Sequence, residues 1–127
     1  MRDMKSRIDV QESLAPAART ATASGSAVDL ANFDAATVVF HPGTVTDGVH
    51  TPVVQESADG STGWSDVAAS DLTGALAALA SNTIQRVGYI GNKRFIRARV
   101  GVTGGPATGA AVAASVIRGH ARYEPLA

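Results

Sequence analysis

His41, His50 and His120 are the only imidazoles in the chain, and their spacing matches no metal site. Zinc sites show His-x-x-x-His or Cys/His spacings, because a tetrahedral ion needs donors carried onto one face or one knuckle. Cysteine is absent, which excludes disulfides and thiol chemistry. Asp47, Asp59, Asp66 and Asp71 fall in or near turn signals, and Asp59-Gly60-Ser61 looks like a fragment of a calcium loop. The rest of the oxygen-ligand spacing is missing. Asp-Gly reads more simply as a hairpin turn, where glycine takes a positive φ without steric cost. No serine stands in a Gly-x-Ser-x-Gly elbow. The run Thr103-Gly-Gly-Pro-Ala-Thr-Gly109 lacks the Lys-Ser/Thr ending and following helix of a phosphate loop. No nucleophile–base–acid set can be assembled, so the expectation is a non-enzyme without cofactor or metal.

The remaining chemistry is charge. Residues 86–127 hold seven of the eleven Lys and Arg and one of the eleven carboxylates; residues 1–85 hold four and ten. A chain of zero net charge is therefore bipolar. Lys93, Arg94, Phe95, Arg97 and Arg99 form a basic stripe with one aromatic, a pattern that also suits nucleic acid. Only Phe95 and Tyr89 offer ring faces nearby. The simpler reading pairs these arginines with carboxylates, within the domain or on a neighbouring protein, and expects no nucleic acid. Trp64 reads as the largest core anchor, with an exposed recognition role as the alternative.

Strands must position these groups. Val, Ile and Thr make up 30 residues, and turn clusters of Gly, Pro, Asp, Asn and Ser recur at short intervals. Strands are expected at residues 19–24, 28–30, 36–41 (stopped by Pro42-Gly43), 51–57, 63–67, 84–90, 95–103 and 110–119. Along 95–103, Ile96, Ala98, Val100 and Val102 point one way, and Phe95, Arg97, Arg99 and Gly101 the other. Such alternation suits an antiparallel sheet with one solvated face. Leu72, Leu76 and Leu79 predict a short helix over 71–82, capped by Asp71 and ended by Asn82. The fold class is all-β: one antiparallel β-sandwich or jelly-roll-like domain over 15–127, with about seven to eight strands. Residues 1–14 form an N-terminal arm or edge strand, broken by Ala15-Pro16. With 24 alanines and six aromatics the core is thin, a hint that the domain leans on neighbours. No apolar run approaches the ~18 residues of a membrane span, and the N-terminus lacks the apolar core of a secretory signal.

Three stretches carry a family resemblance: Val54-Gln-Glu-Ser-Ala-Asp-Gly-Ser61 with Trp64, Tyr89-Ile-Gly-Asn-Lys-Arg-Phe-Ile-Arg97, and Ala113-Ala-Ser-Val-Ile-Arg-Gly119. The opening Met4-Lys-Ser-Arg-Ile-Asp-Val10 with Ser13-Leu-Ala-Pro16 fits the same pattern. The chain resembles small proteins of tailed bacteriophages and prophages encoded near the major capsid gene. The resemblance implies a virion component made in the bacterial host cytoplasm, most simply a capsid decoration or cement protein that bridges major capsid subunits. Such proteins form homo-oligomers, often trimers at local threefold positions. A head–tail connector or tail component is one alternative, and a carbohydrate-binding host-attachment module another. On this reading the interface residues are Arg7, Ile8 and Val10 of the arm, with Lys93, Arg94, Phe95, Arg97 and Arg99 as contacts to capsid or adjacent copies.

Overall fold

The alternation along residues 95–103 is realised from Phe95 to Val100: Ile96, Ala98 and Val100 are completely buried, while Phe95, Arg97 and Arg99 point outward, and Val102 is half-buried against the core. The computed structural model describes residues 1–123 and residue 126. Ten strands are present: β1 (Ile8–Arg19), β2 (Ala23–Ser24), β3 (Val28–Asp29), β4 (Phe33–Val45), β5 (Val49–Ser57), β6 (Ser65–Asp66), β7 (Leu72–Thr73), β8 (Gln85–Tyr89), β9 (Phe95–Thr103) and β10 (Ala110–Ala121). Four of them are two-residue pairings at sheet margins. One five-stranded sheet has the order β1-β10-β4-β8-β7; in the other, β2-β9-β5-β6, β3 also pairs with β9. Every pairing is antiparallel, and the two sheets form a β-sandwich.

The core between the sheets is the thin one expected from composition. Phe40 and Ile96 are its largest fully buried side chains, and most of the remainder is valine and alanine. Two polar ties cross it. The Ser13 hydroxyl of β1 accepts the Ala98 N–H of β9 at 2.9 Å and donates to the Ser26 carbonyl at 3.0 Å. The Tyr89 hydroxyl of β8 donates to Glu56 of β5 at 2.6 Å. A sandwich this poor in large side chains gains specificity from such satisfied buried groups.

Three expectations are corrected. Residues 71–82 form no helix: a 3₁₀ turn at Ala69–Asp71 leads into β7, and the chain then runs irregularly to β8. Leu72 and Leu76 still pack against the core and Leu79 is buried in it. The Gln85 amide replaces helical hydrogen bonds by accepting the Ala77 N–H and donating to the Ala77 carbonyl. The expected break at Pro42-Gly43 does not occur: β4 runs on to Val45, still paired with β10. Pro42 lies opposite Val112, where the pairing with β10 shifts register before Ala110, and a strand accommodates a proline at such an irregularity. Likewise β1 passes through Pro16 to Arg19, absorbing it in register shifts between Glu12 and Ala17.

Candidate functional site

The outward face of β9 is the centre of the basic stripe, and most of it is already engaged by this chain. Arg97 sits between β5 and the segment leading into β6. Its guanidinium lies 4.3 Å above the Trp64 ring centroid, and its Nε donates to Gln55 Oε1 at 2.9 Å. The Gln55 amide in turn donates to Asp66 at 3.0 Å. Register explains the row, since Arg97 faces Gln55 and Gln55 faces Asp66. Burial, and then the nearby Arg99, lower the Arg97 pKa. Trp64 is thus no core anchor: it is a half-exposed platform beneath an arginine, an arrangement favoured by the negative face of the indole.

Arg94 is engaged as well. It forms a two-pronged pair with Asp29, Nε to Oδ1 at 2.9 Å and Nη2 to Oδ2 at 2.8 Å. Phe95 lies between the Arg94 guanidinium, 5.1 Å from its centroid, and the Asp59-Gly60 turn, where a Cβ at Gly60 would come within 2.8 Å of the ring. The ring is half-buried. The 90–94 loop is fixed by Tyr89, whose hydroxyl accepts the Lys93 N–H at 2.9 Å, and by the Leu30 N–H donating to the Arg94 carbonyl at 2.8 Å. Burial, then the hydrogen bond to Glu56, push the Tyr89 pKa well up. Lys93, Arg94 and Arg122 line a polar cleft of about 480 Å³ beside Asn32 and Asp34. Among the described residues, Lys93 and Arg99 make no side-chain hydrogen bond or ion pair within the chain; both belong to its basic stripe.

The candidate chemical groups serve turns. Asp59 accepts the N–H groups of Ser61 and Thr62, both at 2.9 Å, and the Thr62 hydroxyl at 2.8 Å. Asp47 accepts N–H groups from Ala107, Thr108 and Gly109, so the glycine-rich loop closes around a carboxylate of its own chain. His41 and His120 are exposed on β4 and β10, whereas His50 is buried in β5 with Nε2 at 2.9 Å from the Asp47 carbonyl.

Acidic and basic halves of the sequence meet in a ladder. Asp9 pairs with Arg118, Arg118 donates to the Asp29 carbonyl at 2.7 Å, and Asp29 pairs with Arg94. Arg122 pairs with Asp34 at 3.3 Å. The Arg94 hydrogen bond holds the Asp29 pKa down from 3.8 to about 2. Asp9 is lowered by Arg118 and then Gln11, Asp47 by the Gly109 N–H first, and Asp59 by the Thr62 N–H first. Each carboxylate binds its proton more weakly folded than unfolded. Its stabilising contribution is full above the ordinary value near 4 and is lost as pH falls through the folded value. The melting temperature, followed by circular dichroism, should fall progressively from about pH 4 to about pH 2. A melting temperature constant over that window would contradict the ladder.

The eight residues expected at an interface separate into two groups. Lys93, Arg94, Phe95, Arg97 and Arg99 lie together on β9 and the loop before it. Arg7, Ile8 and Val10 lie at the margin of the other sheet, where β1 pairs with β10 from Ile8 opposite Gly119. The partners Gln55, Asp66 and Asp29 went unread in the sequence, although the expected hairpin between 51–57 and 63–67 carries the signal for the first two. No known protein family, curated protein or solved structure matches this chain.

Proposed function

We propose that this chain is a non-enzymatic virion structural protein that binds the outside of a bacteriophage head and cements contacts between major capsid subunits. The observation that carries the reading is the residue of the charge asymmetry. After Arg94, Arg118 and Arg122 have found carboxylates and Arg97 its indole, Arg99 still stands on the outer face of a rigid sheet, flanked by Val53 and Ser24, with Lys93 on the loop before β9. Positive charge on a rigid, shallow surface selects a protein partner and its register. Many weak contacts of this kind hold a lattice once several are engaged together. The likeness of residues 54–61, 89–97 and 113–119 to phage head-module proteins supports the same reading.

Particles assembled without the protein should release DNA at lower temperature than complete ones; equal heat stability would sink the proposal. Arg99→Glu is the clean surface variant, because Arg97→Glu also removes the Trp64 stack and the Gln55 hydrogen bond. Arg99→Glu should keep the wild-type circular dichroism spectrum and lower head occupancy about tenfold or more. Wild-type occupancy would assign Arg99 to solvent.

A further inference from the structure

The two sheets differ in how their outer faces are finished. The outer face of β9 and β5 is closed by the row of Asp66, Gln55 and Arg97 over Trp64. The outer face of the β1-β10-β4-β8 sheet has no such cover. Its central row runs Val10, Ile117, Thr37, Gly88, and Val10 is 55% exposed. Over that row the surface is concave, a groove of about 740 Å³ lined by Ile117, Thr37 and Val39 together with Met4, Arg7, Ile8 and Arg86. Short and β-branched side chains of this kind let a second sheet approach to the ~10 Å of face-to-face packing.

The charges on this face indicate what covers it. Glu12 pairs with Ser115, Ser115 with Val39, and Val39 with Arg86. One row across four strands therefore begins with a carboxylate and ends with a guanidinium. Among the described residues, neither side chain has a hydrogen-bond or ion-pair partner in the chain. A two-fold axis lying between two such faces and running along the strands reverses the row. It brings Glu12 of each copy against Arg86 of the other, and the apolar centres against each other. An isologous contact needs this self-complementarity.

We propose that the outer face of the β1-β10-β4-β8 sheet is a contact surface for a second copy of this chain, packed face to face about a two-fold axis. The contact does not depend on the head-binding reading. Four strands at about 4.8 Å and five residues at about 3.4 Å give a footprint of roughly 300 Å². A standard complex takes about 800 Å² from each partner. The dimer is accordingly weak in dilute solution and populated where copies are crowded.

Sedimentation equilibrium on the full chain, from about 10 μM to about 1 mM, tests it. The expected result is a monomer–dimer equilibrium. Glu12→Arg alone and Arg86→Glu alone should each weaken the dimer by about tenfold or more, since both ion pairs become repulsive. Combining the two substitutions in one chain should restore it, as should mixing the two single variants, whose charges complement each other. Both positions are exposed, and unchanged circular dichroism would confirm that the variants fold. A chain that stays monomeric at 1 mM, a trimer, or a dimer indifferent to the charge reversals would overturn the proposal.

Discussion

Phe40→Ala should lower stability by about 3–5 kcal/mol and the melting temperature by roughly 10–20 °C. Phe40 lies in the middle of β4, fully buried, and β4 is itself paired on both sides, with β10 and with β8. Its neighbours on the inner face are mainly valines and alanines, which cannot swing into the space a phenyl ring leaves. The cavity would persist, and the cost of such a substitution rises with the cavity that remains. In a domain with a total stability of about 5–15 kcal/mol, a loss of this size leaves the variant partly unfolded at moderate temperature. Thermal and urea unfolding would measure it; a loss below about 1 kcal/mol would mean that the core collapses around the vacancy.

Gly109→Ala should cost roughly 2–4 kcal/mol without touching the core. Gly109 has φ of 77°, in the left-handed region where an L side chain costs about 1–2 kcal/mol. A Cβ there would also collide with the backbone carbonyl of Arg19, at the C-terminal end of β1. The same residue donates its N–H to Asp47 and accepts the Thr46 N–H through its carbonyl at 3.0 Å. Moving it disturbs β1, the turn after β4 and the start of β10 together. Gly105→Ala is the control. Its φ is 59°, but nothing lies within 4 Å of the added carbon, so only the conformational cost of about 1 kcal/mol applies. Equal losses at the two positions would refute the steric part of the argument.

The sandwich was legible because its longest strands announce themselves. Residues 95–103 alternate without a fault, and the Asp-Gly signals at Asp47-Gly48 and Asp59-Gly60 mark real turns. Residues 71–82 were not legible, since leucines spaced for a helical face can be buried equally well from an irregular segment. What decides the matter is Gln85, a residue outside the window, whose amide serves the Ala77 backbone. Pro42 misled for a similar reason: whether a proline stops a strand depends on whether the pairing can shift register beside it, as β4 and β10 do between Val112 and Ala110. The charge asymmetry was visible along the sequence, and so was the common face of Arg97 and Arg99. Which arginine of the 93–99 stripe remains free was not, because Arg94 finds Asp29 65 positions away and only the register of distant strands brings them together.

The pairing of the first long strand with the last, Ile8 opposite Gly119, also governs how the molecule comes into being. During synthesis β1 emerges before the other strands of the sandwich and has no strand to pair with until residues 110–121 have followed. β4 can pair with β8 beforehand, but the β1-β10-β4 side of the sheet closes only once β10 is made, through contacts of very long sequence separation. Such topologies fold in milliseconds to seconds rather than microseconds. In that interval the residues that pack against β1 and β10 are exposed to other chains.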